Sequence, residues 1–247
     1  MKTVRSLSRV LLKTDLRDTS TIIMSFVFPL ALLVVLVRAF GTMPELPGMD
    51  FVSAICVNVL GFGVAYVGIF AGALHIAQWR ENGMVQVLRA FPLSTGSILL
   101  AQALVGACLA LIQAVLLIAL AVTPWIGMEL SPFAPLGIVP LALGYLTFYF
   151  LGVLLAVFVP SLAAVSMLAN LIIIPLGYAG GAMMPIELLP RWVQNIAPYT
   201  PFFQMRVALS KPLIDLGTWG DAGLGCVYLL VASALLLPLA HRFFRWK

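Results

Sequence analysis

The sequence has very few charged residues for its length. Asp, Glu, Lys and Arg together make up 9% of the 247 residues, whereas 62% are hydrophobic. A soluble globular domain carries about 25% charged residues, so this little charge cannot cover the surface of a water-soluble protein. Lipid must therefore face much of the apolar surface. The composition excludes a cytosolic enzyme, a disordered chain and a secreted disulfide-rich module.

The residues that nucleotide binding and catalysis require are also scarce. The chain has no Gly-Lys dipeptide, so it lacks the glycine-rich loop with an invariant Lys that cradles phosphates. Cys56, Cys108 and Cys226 lie in apolar runs and give neither a disulfide framework nor a metal spacing. His75 and His241 lie at the ends of apolar runs, without Cys or carboxylate ligands at metal spacing. We therefore predict no catalytic residue, metal or bound cofactor on this chain. We also expect that the chain is not an enzyme.

Six apolar runs are long enough to cross a membrane, which takes roughly 20 residues. Residues 135–184 carry no charge but are too many for one span. We divide them at Pro160, because proline cannot extend a helix interior and Ser161 can cap the next helix. The predicted spans are 22–40, 51–77, 98–122, 135–159, 162–184 and 219–240. The fold class is then all-α integral membrane, with a six-span transmembrane domain over residues 22–247.

The Lys and Arg residues predict the orientation of these spans. They gather at the two ends and in one middle segment, which is typical of membrane proteins and not of a nucleic-acid-binding patch. With both termini in the cytoplasm, ten of the 14 fall in inner segments. Proton or sodium coupling usually needs an ionisable group near the middle of the bilayer, and no predicted span has one.

Residues 1–21 are predicted to form an interfacial amphipathic helix. One helical face holds Val4, Leu7 and Leu11. Another holds an i, i+4 row of cations: Arg5, Arg9, Lys13 and Arg17. This pattern fits a helix that lies at the cytoplasmic headgroups against anionic membrane lipid. Leu12 and Leu16 weaken the segregation, so a simple basic tail remains the alternative.

The connection over residues 78–97 contains a short amphipathic segment. Its apolar residues recur at i, i+3, i+4 and i+7, namely Met84, Val87, Leu88 and Phe91. Pro92 ends this predicted helix, and Ser94 or Thr95 can cap the following one. The apolar stripe must be buried against headgroups or in a groove on a cytoplasmic partner.

The outer connection over residues 185–223 is too long for a structureless loop. Leu189, Trp192, Val193 and Ile196 again stand at i, i+3, i+4 and i+7, and prolines divide the rest into short pieces. We predict short re-entrant helices that form a packed cap over the translocation path. Leu189, Trp192 and Val193 are expected to anchor this cap, and a Trp that only contacts the lipid headgroups is the alternative. The predicted cap residues are Pro185, Glu187, Leu189, Pro190, Trp192, Val193 and Pro201.

Two pairs of small residues at i, i+4 spacing predict close helix contacts. Gly68 and Gly72 lie in the second predicted span, and Gly177 and Gly181 in the fifth. Such pairs allow two helices to approach closely. They serve either packing within the chain or a seam between two copies.

Two segments carry a family resemblance. Arg80-Glu81-Asn82-Gly83, then Leu88 and Pro92-Leu93-Ser94, resemble the cytoplasmic loop of type-2 ATP-binding-cassette transporter permeases. The segment from Met184 to Pro201 is similar to the outer segment of that family, although Tyr199-Thr200-Pro201 lacks the Asn that many members carry before the proline. The order of the spans fits as well. Efflux permeases of the daunorubicin-resistance type have this size.

The resemblance implies a half-transporter that pairs with a second permease copy or a paralogue. A separate ATP-binding-cassette ATPase subunit would bind ATP and Mg, and a coupling helix would fit a groove on it. The residues implied in this coupling are Arg80, Glu81, Gly83, Met84, Val87, Leu88, Phe91 and Pro92. The expected location is the plasma membrane of a prokaryote.

The expected function is export of an amphiphilic or hydrophobic cargo, as in efflux-based antibiotic resistance. A polysaccharide or lipid-linked glycan permease of the same fold is one alternative. An ion-coupled secondary transporter is the alternative from another class.

Overall fold

The computed structural model describes residues 2–41, 50–84, 94–182, 186 and 189–243. Within these ranges the chain is almost entirely helical and has no strand. A first helix, α1, covers Lys2–Asp15, and α2 runs without a break over residues 19–40 through a π-helical turn at Ile23–Val27. The remaining helices are α3 (Phe51–Glu81), α4 (Thr95–Ala121), α5 (Ile138–Phe158), α6 (Leu162–Ala179), α7 (Arg191–Ile196), α8 (Pro201–Ile214) and α9 (Trp219–Phe243).

Five of these helices, α3, α4, α5, α6 and α9, are long and apolar enough to cross a membrane. The apolar part of α2, Ser25–Phe40, is shorter. The π-helical turn comes just before Pro29, which has no N–H to donate to the preceding turn. Five spans are therefore supported directly, and α2 as a sixth span stays a prediction.

Some helix ends differ from the predicted spans. Helix α3 continues to Glu81 rather than stopping at 77, and α6 stops at Ala179 rather than 184. The early stop has a local cause, because Gly181 has φ 91°, a left-handed conformation that favours glycine. At the amino terminus, α1 ends at Asp15 and α2 begins at Thr19, so the predicted segment 1–21 contains a helix break.

Helix α3 is the central element of the bundle. It is buried along most of its length and contacts α2, α4, α5, α6 and α8. Helices α6 and α9 lie at the periphery and expose most of their apolar side chains. The bundle has two ends: α1 packs at the end where α3 and α5 finish, called here the α1 end, and α7 and α8 pack at the opposite end.

Glycines allow α3 and α5 to approach each other closely. A Cβ atom at Gly68 would lie 2.9 Å from the carbonyl oxygen of Tyr145, and one at Gly72 would overlap the carbonyl of Tyr149. A Cβ at Gly152 would overlap the carbonyl of Ile69 from the other side. These glycines therefore pack against neighbours within the chain.

The second predicted glycine pair is different. A Cβ at Gly177 would meet the Phe62 ring on α3, so this glycine also packs within the chain. Gly181 lies beyond the end of α6 and cannot share a helical face with Gly177, which corrects the prediction. Its carbonyl instead accepts a hydrogen bond of 2.7 Å from the Asn58 side chain of α3.

Polar side chains inside the bundle donate to backbone carbonyls of neighbouring helices. The hydroxyls of Tyr145 and Tyr149 on α5 donate to the carbonyls of Ala103 and Leu99 on α4, at 2.9 and 2.8 Å. On the other side of α5, the Thr147 hydroxyl lies 2.8 Å from that of Ser233 on α9. Polar groups buried in lipid need such partners, so these contacts fix the order of the helices.

Candidate functional site

Arg80 joins the last turn of α3 to the last turn of α5. Its guanidinium donates one hydrogen bond of 2.8 Å to the carbonyl of Val159 and another to the carbonyl of Ala156. The final carbonyls of a helix have no partner within it and carry partial negative charge. A cation at this position therefore satisfies two acceptors and stabilises the end of α5.

Glu81, the next residue, joins α3 to the first turn of α6. Its carboxylate accepts a hydrogen bond of 2.6 Å from the backbone N–H of Leu162. The Ser161 side chain accepts a hydrogen bond of 3.2 Å from the backbone N–H of Ala164. Glu81 and Ser161 therefore both cap the first turn of α6. A negative charge is favourable at this end of a helix.

Arg80 and Glu81 together hold the turn between α5 and α6 from both sides. A cation lies on the carboxyl end of α5 and an anion on the amino end of α6, with Pro160 between them. We call these two residues the Arg–Glu clamp. The clamp connects the end of α3 to the ends of α5 and α6.

The clamp lies at the base of the predicted coupling helix. After Glu81, Gly83 turns the chain with φ 67° and Met84 is exposed. Val87, Leu88, Phe91 and Pro92, the other predicted coupling residues, lie outside the described residues. A direct contact of Glu81 with an ATPase remains a prediction. Its contact with Leu162, 81 positions along the chain, has no local sequence signal.

A buried hydrogen bond between His75 and Asp15 fastens α1 to α3. The His75 Nε2 atom lies 2.8 Å from the Asp15 Oδ1 atom, and both side chains are largely buried. Leu11, also on α1, is buried as well. No local sequence pattern pairs His75 with Asp15, which lies 60 positions away. Among the residues that the structure describes, no cluster of three metal-ligating side chains exists.

A cavity of about 410 Å³ lies beside this pair, between α1, α2, α3, α4 and α6. Its wall combines aromatic and polar side chains, including Tyr66, Phe70, Ser25 and Ser166 together with Asp15 and His75. The Tyr66 and Phe70 rings stack with centroids 4.5 Å apart. Such a wall can contact both the apolar and the polar part of an amphiphile.

The predicted outer cap is helical, but its three predicted anchors differ in burial. Leu189 and Val193 are buried, whereas Trp192 is 67% exposed. Trp192 therefore does not anchor the cap within the chain. Pro190 precedes α7 and Pro201 is the first residue of α8, with Thr200 as the cap of α8. Pro185 and Glu187 lie outside the described residues.

The main anchors of the cap lie on α8 and were missed. Phe202, Met205, Leu209 and Leu213 are nearly fully buried against α3, α5 and α9. Facing glycines make room for them: a Cβ at Gly144 would meet Met205. Their i, i+3, i+7 and i+11 spacing was readable from the sequence as a helical stripe.

Exposed aromatic residues lie at the end of the bundle opposite α1. Trp125 stacks under Arg38, whose guanidinium carbon is 4.6 Å from the ring centroid. Trp219 meets Phe133 edge to face, and Lys211 lies 6.0 Å from the Trp219 ring. Aromatic residues with adjacent cations are typical of a membrane–water interface.

An apolar bundle of long helices, with interface aromatics at one end and a charged clamp at the other, defines a multi-pass membrane protein. The model of the ABC-2 type transporter family matches residues 3–211, and the chain belongs to this family. The matched region includes the clamp and most of α1 and α8. The predicted type-2 ABC permease family is thereby confirmed, and the chain is a transport component of an ABC transporter. A search of the curated proteins gave no match.

Proposed function

We propose that the chain is the permease subunit of an ABC exporter that moves an amphiphilic or hydrophobic cargo out of the cytoplasm. A separate subunit hydrolyses ATP, because this chain has no phosphate-binding loop. The permease pairs with a second copy or a paralogue. It lies in the plasma membrane with both termini in the cytoplasm, and α2 is the first of six spans. The α1 end of the bundle is then cytoplasmic.

The Arg–Glu clamp is the observation that carries this proposal. Three hydrogen bonds connect the base of the predicted coupling helix to α5 and α6. A movement imposed on the loop by closing ATPase subunits would therefore displace three helix ends together, rather than bend an isolated loop.

The cavity beside the Asp15–His75 pair supports an amphiphilic cargo. The Tyr66 and Phe70 rings offer an apolar surface, and Asp15, His75 and the serines offer polar contacts. The cavity lies near the proposed cytoplasmic end, where an exported molecule would enter.

Affinity purification in mild detergent, followed by mass spectrometry, tests whether the permease assembles with a separate ATPase subunit. We expect a stoichiometric soluble chain with a phosphate-binding loop, cross-linked to residues near Met84. A permease that purifies without any ATPase, even after cross-linking, would contradict the proposal. A second six-span chain in the sample would indicate a heterodimer, and its absence a homodimer.

Transport of a hydrophobic fluorescent dye into inside-out vesicles tests the cavity. We expect Phe70→Ala to reduce ATP-driven uptake severalfold, because the variant removes half of the stacked ring pair. Phe158→Ala is the matched control, since Phe158 is 65% exposed and lies outside the cavity. Equal uptake by both variants would place the cargo elsewhere.

A further inference from the structure

A groove separates α1 from the first turns of α4. It has a volume of about 710 Å³ and lies between Arg5, Arg9 and Leu12 on α1 and Leu100, Leu104 and Cys108 on α4. Helix α1 approaches α4 closely at one point, where the Ser8 hydroxyl donates to the Ala101 carbonyl. The groove is therefore framed by two helices that are in contact.

The α1 wall of the groove is positively charged. Arg5 and Arg9 are both exposed and stand one turn apart, so their guanidinium groups lie on the same side of the helix. Neither forms an ion pair with an acidic residue in the described part of the chain. The acidic residue of α1, Asp15, is buried against His75. The two cations thus present a site for an anion.

The α4 wall is apolar and exposed. Leu100 and Leu104 are 53% and 51% exposed, and Cys108 continues the row one turn further. Because a helix rises 1.5 Å per residue, the row extends about 12 Å along α4. In a membrane-spanning helix this row runs from the headgroups into the hydrocarbon.

We propose that this groove binds one anionic phospholipid. Its phosphate contacts Arg5 and Arg9, for which guanidinium groups are well suited. One acyl chain follows Leu100, Leu104 and Cys108. The charge at the rim and the apolar row below it match the two parts of such a lipid, whereas an acidic peptide would leave the apolar row uncovered. The lipid would hold α1 against α4.

Native mass spectrometry of the full chain in detergent tests the charged rim, with added phosphatidylglycerol or phosphatidylcholine. One charge contact to an anionic headgroup contributes roughly fivefold in affinity. We therefore expect the double variant Arg5→Gln/Arg9→Gln to lose phosphatidylglycerol binding by at least tenfold. Lys13→Gln/Arg17→Gln removes the same charge from exposed positions outside the groove and should change binding less than threefold. Equal losses of binding in the two double variants would overturn the proposal. Equal binding of phosphatidylglycerol and phosphatidylcholine would overturn it as well.

The apolar wall is tested without a change of charge. Leu104→Trp fills the groove and should reduce phosphatidylglycerol binding at least fivefold. Val115→Trp, at a position on α4 that is 58% exposed and outside the groove, should leave it unchanged. Unchanged binding by the Leu104 variant would show that only the headgroup is bound, and would refute binding of the acyl chain along α4.

Cys108 reports whether the groove is filled. It is exposed, whereas Cys56 is buried, so Cys226→Ser leaves one reactive thiol. We expect phosphatidylglycerol to slow maleimide labelling of Cys108 at least fivefold, and inorganic phosphate at the same concentration to have no effect. Protection by phosphate alone would indicate a free-phosphate site. Protection that depends only on protein concentration would place a second copy in the groove. Either result would overturn the proposal.

Discussion

Replacement of Arg80 by alanine is the sharpest perturbation of the clamp. The guanidinium makes two hydrogen bonds to the carbonyls of Ala156 and Val159. A hydrogen bond to a charged group contributes about 1.5–3 kcal/mol, and the half-buried position favours the low end of that range. Loss of both bonds then weakens the junction of α5 and α6 by about 3 kcal/mol, which is roughly 100-fold in a local opening equilibrium.

Hydrogen exchange of the backbone amides over residues 156–165 measures this opening. We expect exchange to rise by up to roughly 100-fold in Arg80→Ala, and by less in Arg80→Lys, which keeps the charge but has a single nitrogen in place of the planar guanidinium fork. Cargo moved per ATP hydrolysed should fall in the same order. Arg17→Ala is the control, because Arg17 is exposed and forms no ion pair with a described residue. An effect of Arg80→Ala no larger than that of Arg17→Ala would refute the clamp.

Three further predictions concern Glu81, the α3 glycine contact and the outer cap. Glu81→Gln keeps an acceptor for the first N–H of α6 and should retain most of its protection in hydrogen exchange, whereas Glu81→Ala should lose it. Gly72→Ala should lower the unfolding temperature in detergent, because overpacking costs about 1–3 kcal/mol. Gly223→Ala on α9 meets open space and should be neutral or slightly stabilising, so equal effects would contradict the contact. In the cap, a cysteine in place of the exposed Trp192 should react with a soluble maleimide at least tenfold faster than one in place of the buried Val193, and equal rates would indicate an open segment.

The features that the sequence predicted correctly depend on local patterns. Pro160 breaks the long uncharged stretch, and Ser161 caps α6 as expected. In α1, Leu11 is buried and the Arg and Lys row is exposed, as the helical spacing indicates. Charge scarcity was sufficient to predict a membrane protein, and the resemblance of two short segments predicted the permease family, which the family match confirms.

The missed features depend on contacts between distant segments. Periodicity shows that Leu189, Trp192 and Val193 share a helical face, but it does not show which of them is buried against the rest of the chain, and Trp192 is exposed. Likewise, His75 and Asp15 lie 60 positions apart, and only the docking of α1 on α3 brings them together. Gly181 was assigned to a helix because the run of apolar residues continues beyond the point where α6 ends.

The central claim is that ATP hydrolysis on a separate subunit drives export through this permease. The most direct test is dye uptake into inside-out vesicles that contain the permease and the ATPase that co-purifies with it. We expect uptake that requires ATP, persists when the proton gradient is collapsed by an uncoupler, and stops in Arg80→Ala while ATP hydrolysis continues. Uptake that is independent of ATP and abolished by the uncoupler would contradict the account.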